Sequence, residues 1–334
     1  MQSKILILLA VLGTGIGAAA VLFATGNIHL PHPAGQTADT GDAAPSAPSE
    51  PQQPGENAAY EAFDQGKYLT ALSLAEQAAG TGDPQAHALV GRIYAEGLGV
   101  GKDEITAARW YSRAAELGDV PSMVTFGNML ADGRGVGKDR IKAAELYEKA
   151  AMTGDPLANY NLGLLFLRGD GKPENPYRAA QHIAYAAEKG IAAAQYDLAA
   201  MYMRGSGVPN DALEAARWSA KAADQGMPAA QYEYGVMLLQ GRGLKADESK
   251  AVAYLLAAAE KGVAGAQNRL GHVYAEGAGV AQNSFEAAKW RLIAKANGIA
   301  DDKLDLFVAA LPNADRIKAV AAATDWQEKK QIMR

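Results

Sequence analysis

The chain has 334 residues, a formal net charge of −5 and no cysteine. The lack of cysteine excludes disulfides, thiol catalysis and cysteine-ligated zinc, and the acidic balance provides no basic footprint for nucleic acid. A chain of this length ordinarily suggests about two domains, but a repeat array can extend as one continuous body.

The first predicted element is an uncharged apolar stretch at residues 5–25, ILILLAVLGTGIGAAAVLFAT. About 20 apolar residues are enough for a helix to cross a bilayer, and Lys4 with the terminal amine gives a positive flank that stays in the cytoplasm. Two interpretations of residues 1–26 are open. An uncleaved transmembrane anchor, which we favour because the apolar residues continue through Phe23, would give a single-pass protein of a bacterial inner membrane with a periplasmic C-terminal domain. A signal peptide cleaved near Ala20 would give a secreted periplasmic protein.

The next segment, residues 27–55, is rich in proline, alanine, glycine, serine and threonine. Such a composition cannot bury enough apolar surface to offset the entropy lost on ordering. We therefore predict a disordered linker that tethers whatever follows it.

A glycine-rich loop then recurs along the chain. GLGVGKD at residues 97–103 returns at intervals of 36 residues, as GRGVGKD from Gly133 and in variant forms from Gly169, Gly205, Gly241 and Gly277. The loop superficially resembles a phosphate-binding loop, but Asp103 stands where that motif needs serine or threonine. Self-similarity at this period predicts a solenoid, so we expect scaffold glycines and no nucleotide.

Each repeat unit is predicted to hold two helices. In the first unit, one helix runs from about Pro84 to Glu96 behind the N-cap Asp83, and the second starts after the N-cap Asp103 and ends at Gly118. A glycine inside the first helix would cost about 1 kcal/mol relative to alanine. Small residues nevertheless recur there, which predicts a close helix contact: Gly91, Gly127, Gly163, Ala199, Gly235 and Gly271.

Residues 86–119, AHALVGRIYAEGLGVGKDEITAARWYSRAAELGD, resemble a Sel1-like repeat, and six such units cover residues 83–298. The resemblance implies an all-α fold, a right-handed α/α solenoid of Sel1-like, tetratricopeptide-related helix pairs. Unit three departs most, with Lys172 for the usual valine and His182 for tryptophan. Residues 56–82 resemble a tetratricopeptide-like capping hairpin, and residues 299–334 are expected to form C-terminal capping helices, with Asn313 as the N-cap of the last.

No residue pattern in the chain predicts catalysis, a metal site or a cofactor. The histidines of the array, His87, His182 and His272, lie units apart and cannot share one metal or one triad. What varies between units is a stripe on the first helices, at positions three and four residues apart that begin with Leu89. Since the first helices line the concave side in Sel1-like solenoids, the resemblance implies a protein or peptide partner there. The candidate protein-binding residues are Arg92, Asn128, Asn161, Arg168, Asp197, Arg204, Glu233, Gln240, Arg269 and His272.

The sequence thus favours a non-catalytic interaction scaffold or adaptor, exported and attached to the membrane through residues 5–25, such as a periplasmic regulator of a signalling or envelope-assembly system. One alternative is a peptidoglycan-binding accessory or cell-wall enzyme. A groove rich in aromatic residues and paired carboxylates would favour this alternative. The other is an ordinary solvated face that binds no partner.

Overall fold

A computed structural model describes residues 54–332 of the chain. Every regular element in this part is an α-helix, and it contains no strand. The helices are α1 (Pro54–Asp64), α2 (Tyr68–Ala79), α3 (Pro84–Glu96), α4 (Glu104–Glu116), α5 (Val120–Asp132), α6 (Arg140–Met152), α7 (Pro156–Arg168), α8 (Pro176–Glu188), α9 (Ala192–Arg204), α10 (Ala212–Asp224), α11 (Pro228–Gln240), α12 (Glu248–Glu260), α13 (Ala264–Glu276), α14 (Ser284–Ala296), α15 (Asp302–Ala310) and α16 (Asn313–Ile332).

The helices pair in chain order, and each pair packs against the next, which makes an α-helical solenoid. Units one to six are the pairs α3/α4, α5/α6, α7/α8, α9/α10, α11/α12 and α13/α14. Between residues 54 and 332, no helix combines the length and apolar character that crossing a bilayer requires. The predicted membrane or signal segment, residues 5–25, lies outside the described part of the chain.

The predicted helix ends of unit one are confirmed. Asp83 accepts a hydrogen bond from the Gln85 N–H at 2.8 Å, and α3 ends at Gly97, whose φ is 72°. Asp103 caps α4 by accepting from the N–H groups of the two residues that follow Glu104. These bonds satisfy donors that a helix start otherwise leaves without partners.

The small residues inside the first helices permit the predicted close contact with the second helices. A Cβ atom added at Gly163 would lie 2.7 Å from Ile183 Cγ1, and one added at Gly127 would lie 2.6 Å from the Tyr147 ring. In units one, two, three and five, the residue that the glycine meets first lies 20 positions further on. In unit four this register pairs Ala199 with a serine, Ser219. Unit four, which has alanine where the other units have glycine, thus also has a smaller residue at the facing position.

The second glycine of each GxG loop lets successive units approach. Gly135 has a φ of 66°, and a Cβ added there would overlap the carbonyl of Glu104 in the preceding unit. Gly171, Gly207 and Gly243 meet the equivalent carbonyls one unit further each time. The loop motif is therefore explained by contact between neighbouring units, as its period predicts.

Unit three keeps the regular packing in spite of its sequence departures. His182, which replaces tryptophan, stacks on the Phe166 ring with centroids 5.8 Å apart, and its Nδ1 lies 2.9 Å from Asn159 Oδ1. One buried apolar cluster continues from Val124 in unit two to Met201 in unit four.

The C-terminal helices differ from the prediction in one detail. Asp301 caps α15, but Asn313 does not cap α16, because it is already the first helical residue. The Asn313 side-chain oxygen instead accepts a bond from the Arg316 guanidinium at 3.0 Å. Further along α16, Trp326 packs edge-on against Trp290, with ring centroids 5.8 Å apart.

Candidate protein-binding surface

The candidate binding residues all lie on the first helices of units one to six, and none of them is buried. Those that are exposed are Arg168, Arg204, Glu233 and Gln240; those that are half-buried are Arg92, Asn128, Asn161, Asp197, Arg269 and His272. Leu89, with which the predicted stripe begins, does not belong to the surface, since it is only 2% exposed. At that register position α3 contributes to the core, where Leu89 packs in the N-terminal apolar cluster.

Several of these side chains hold neighbouring units in register. Asn128 accepts hydrogen bonds at its side-chain oxygen from the Tyr147 hydroxyl at 2.6 Å and from the Asn161 amide at 3.0 Å. Tyr160 donates to Asp197 at 2.8 Å across the next interface. Such bonds between partly buried groups fix the relative position of two helices as well as their own rotamers. Asn128, Asn161 and Asp197 are therefore structural links that also face the surface.

At the N-terminal end of the surface, Arg92 is already engaged. Its Nε donates to Glu96 at 2.9 Å, and its guanidinium lies over the Phe63 ring, 4.7 Å from the centroid. A guanidinium above an aromatic face gains attraction from the ring quadrupole. Arg92 consequently joins unit one to the preceding hairpin.

At the C-terminal end, the surface closes against the cap of α15. His272 Nε2 lies 2.7 Å from Asp301 Oδ2, to which the Asn268 amide also donates at 2.8 Å. Partial burial raises the pKa of Asp301, but hydrogen bonds from the Leu304 N–H, Asn268 and His272 outweigh this and bring the pKa to about 2. The sequence analysis missed Asp301 because it lies beyond the last repeat, although its position before an apolar helix is an N-cap signal.

A cleft of about 330 Å³ lies beside this cluster, lined among others by Tyr232, Arg269 and His272. Behind it, Arg291 is fully buried and donates to Asp305 at 2.7 Å and to Asn268 at 3.0 Å. A buried guanidinium needs such partners to compensate for its lost hydration. The cleft is therefore walled by groups that bond to one another.

The middle of the surface, in units three to five, has a different character. The central lane, which we define as Leu164, Ala200 and Val236, is half-buried and apolar. On one side of it lie Asn161, Asp197 and Glu233, three residues earlier on each helix; on the other lie Arg168, Arg204 and Gln240, four residues later. Residues three and four apart are neighbours on one helix face. The three first helices thus present an apolar floor between two polar rows.

A second row of exposed side chains was not found from the sequence. It occupies the start of the second helices at the 36-residue period, as Leu69, Ile105, Ile141, Tyr177, Leu213 and Phe285, each of which is at least 37% exposed. Counting apolar residues at the repeat period, instead of at the helical period, would have found it.

Among residues 54–332, no group of three or more histidine, aspartate or glutamate side chains is placed to hold a metal ion.

Comparison with known proteins identifies the repeat. The Sel1 repeat pattern matches residues 84–119, 127–155, 156–191, 192–227, 228–263 and 264–298. The chain belongs to the Sel1 repeat family. Sel1 repeat proteins generally mediate protein–protein interactions and are typically non-catalytic scaffolds.

Two solved structures show the same fold. The Sel1 repeat protein from Oxalobacter formigenes is 31% identical, with a TM-score of 0.65, and the match covers 72% of this chain and 99% of that one. A protective antigen of uropathogenic Escherichia coli that displays an SLR fold is 27% identical, with a TM-score of 0.58, over 82% of this chain and 68% of that one. No curated protein matches the chain.

Proposed function

We propose that this protein is an exported, membrane-tethered scaffold that binds a partner protein on the first helices of units three to five. The observation that carries the proposal is the central lane of Leu164, Ala200 and Val236, an aliphatic floor between two polar rows. Peptide-binding surfaces commonly combine an apolar base with polar groups that fix orientation. The protein thereby positions its partner without acting on it chemically.

The binding mode that fits best is an extended segment of the partner laid across the three first helices. Successive units offer the same three register positions, so a segment with recurrent side chains can repeat one contact from unit to unit. The family resemblance implies that the first helices line the concave side of a right-handed solenoid, and a concave surface would enclose more of a bound segment than a flat one.

Export rests on residues 5–25, which we propose to be a single transmembrane anchor in a bacterial inner membrane. The predicted linker, which ends where α1 begins at Pro54, would then set how far the solenoid reaches from the bilayer. A flexible chain spans about 5–6 Å times the square root of its residue number, which gives roughly 30 Å. A partner on the same membrane lies within that reach, as expected for a regulator of a signalling or envelope-assembly system.

Site-specific photo-crosslinking in living cells tests the proposed surface. A photoreactive amino acid at Ala200, in the central lane, should give one discrete crosslinked product, whereas the same amino acid at Lys142, exposed on the second helix α6, should give none. The same product from Lys142, or none from both Ala200 and Val236, would show that the partner binds elsewhere or that the surface has no partner.

One feature favours the second candidate, a peptidoglycan-binding accessory or cell-wall enzyme. Asp197 and Glu233 occupy one register position in neighbouring units, and loss of hydration at the carboxyl group raises the pKa of both, although Glu233 as a whole is exposed. A raised carboxyl pKa is the property that a general acid requires. Release of soluble fragments from purified peptidoglycan, abolished in Asp197→Asn and Glu233→Gln, would establish this function in place of the scaffold.

A further inference from the structure

Arginines on the binding surface are paired at its N-terminal end and unpaired in its middle. Arg92 bonds to Glu96 at 2.9 Å, and Arg134 lies 3.6 Å from Asp132. The arginine row, which we define as Arg168, Arg204 and Arg242, is different. Within residues 54–332, these three exposed side chains form no ion pair within 4.0 Å and donate no hydrogen bond.

The arginine row follows one edge of the central lane. Arg168 and Arg204 end α7 and α9 at the same register position, and Arg242 lies two residues beyond Gln240, which holds that position in α11. All three guanidinium groups therefore lie on the loop side of the apolar floor, in consecutive units.

Two carboxylates, Asp197 and Glu233, interact electrostatically with this row without pairing directly with it. Burial raises the pKa of Asp197 although the Tyr160 hydroxyl, Arg168 and Arg204 act in the opposite direction. Burial likewise raises the pKa of Glu233 against the effect of Arg242 and Arg204. Within the described residues, neither carboxylate forms an ion pair within 4.0 Å, so the three guanidinium groups have no direct carboxylate partner.

A local excess of positive charge is unusual in a chain whose net charge is −5. Arginine binds carboxylates through a planar fork of two N–H donors, which makes it the preferred residue for recognising acidic groups at interfaces. The apolar lane beside the row suits small aliphatic side chains, and it forms one floor with the arginines along the same three helices.

We propose that the partner segment is an extended acidic peptide whose aspartate or glutamate carboxylates pair with Arg168, Arg204 and Arg242 while its aliphatic side chains cover Leu164, Ala200 and Val236. This inference rests on the proposed function and adds the chemistry of the partner. A nucleic acid fits less well, because a polyanion needs a broader basic surface than three arginines provide.

Selection from a library of random linear peptides tests the proposal directly. The full chain in detergent micelles is immobilised, and bound peptides are sequenced. The expected result is enrichment of aspartate and glutamate together with small aliphatic residues. A variant with Arg168→Gln, Arg204→Gln and Arg242→Gln should lose the acidic enrichment. Circular dichroism should show an unchanged fold, since exposed side chains that bond to no other group contribute little to stability.

Fluorescence anisotropy with one selected peptide then measures how much each arginine contributes to the affinity for that peptide. Losing one charge-assisted hydrogen-bonded pair should weaken binding about tenfold or more. Replacing each acid of the peptide by its amide should have a similar effect in the wild type and little effect in the triple variant. Arg113→Gln is the matched control, because Arg113 is also exposed but lies on α4 and is paired with Glu116 at 2.9 Å.

The outcomes separate this inference from the proposed function. Enriched peptides that are neutral or basic, or acidic peptides bound equally well by the triple variant, would overturn the arginine assignment even if Ala200 still crosslinks to a cellular partner. A single-stranded oligonucleotide that bound more tightly than the selected peptide would also overturn it. Failure of the Ala200 crosslink with acidic selection intact would count against the cellular role alone.

Discussion

The contact between first and second helices in unit four provides a sharp test of how the solenoid is packed. Ala199 is the one alanine at a position where the other units carry glycine, and it shares its register pair with Ser219. In unit three the pair is Gly163 with Ile183, and a Cβ at Gly163 would lie 2.7 Å from Ile183 Cγ1. Introducing Ser219→Ile should therefore create that clash against the Ala199 methyl group.

The size of the effect follows from packing. Overfilling a close contact costs about 1–3 kcal/mol, and both Ala199 and Ser219 are almost fully buried, at 2% and 4% exposed. Ala199→Gly alone should cost about 1 kcal/mol through helix propensity. In the double variant the clash disappears and the isoleucine buries its side chain. Relief of the clash returns about 1–3 kcal/mol and the glycine costs about 1 kcal/mol, so the double variant should be up to about 2 kcal/mol more stable than Ser219→Ile. The coupling energy between the two sites should then be about 1–3 kcal/mol, as is typical of residues in contact.

Urea unfolding of the four proteins, followed by circular dichroism, measures this cycle. The midpoints report stability provided that the slope of each transition stays the same. If the double variant equals the sum of the single variants to within about 0.5 kcal/mol, the two sites are independent. That result would refute the explanation of the small residues as close-contact positions.

Three further predictions concern the loops, the cap and the N-terminus. Gly135→Ala should lower the urea midpoint strongly, because its Cβ overlaps the Glu104 carbonyl, whereas Gly137→Ala, with nothing within 4 Å of the added atom, should not; equal shifts would contradict the inter-unit contact. Folding lowers the pKa of Asp301, so its contribution to stability is present above 3.8 and is lost as the pH falls towards about 2; Asp301→Asn should reduce that acid sensitivity, and an unchanged pH profile would contradict it. An alkaline phosphatase fusion after Glu56 should be active in cells and a green fluorescent fusion there dark, as export requires; the reverse pattern would remove the periplasmic assignment.

The scaffold could be predicted from the sequence because each position of the repeat can be compared across six units. The cap at the start of the second helix, as at Asp103, and the small residue inside the first helix, as at Gly163, recur in all six units for the same physical reasons. The cap at the start of the first helix, as at Asp83, is an aspartate in units one to three only. The error at Asn313 arose where no repeat supports the reading. An asparagine before a helix can cap it, but here Pro312 already supplies the carbonyl that precedes the first turn.

The surface was less predictable because the exposure of a side chain depends on contacts between units. The sequence of one unit does not show which of its residues make those contacts. Leu89 follows the same spacing as Asp197 and Arg269, yet it is buried since its neighbour is the N-terminal hairpin and not another repeat. The links from Tyr147 to Asn128 and from Tyr160 to Asp197 also join different helices. Sequence spacing could place these residues on one face but could not show which of them were already bonded.

The candidate binding surface contains two kinds of residue: those that bond to a neighbouring unit and those that do not. Asn128 and Asn161 bond to each other across two units, so changing either alters the register of the scaffold as well as the surface. Arg168 and Arg204 lack such bonds within the described chain, and their exposed ends can be exchanged with little effect on folding. If the proposed surface binds a partner, residues of the first kind would fix the distance between neighbouring contacts and residues of the second kind would decide what is contacted. Partner choice could then change along the arginine row while the spacing of the units stays constant, which is the advantage of building a binding surface on a repeat.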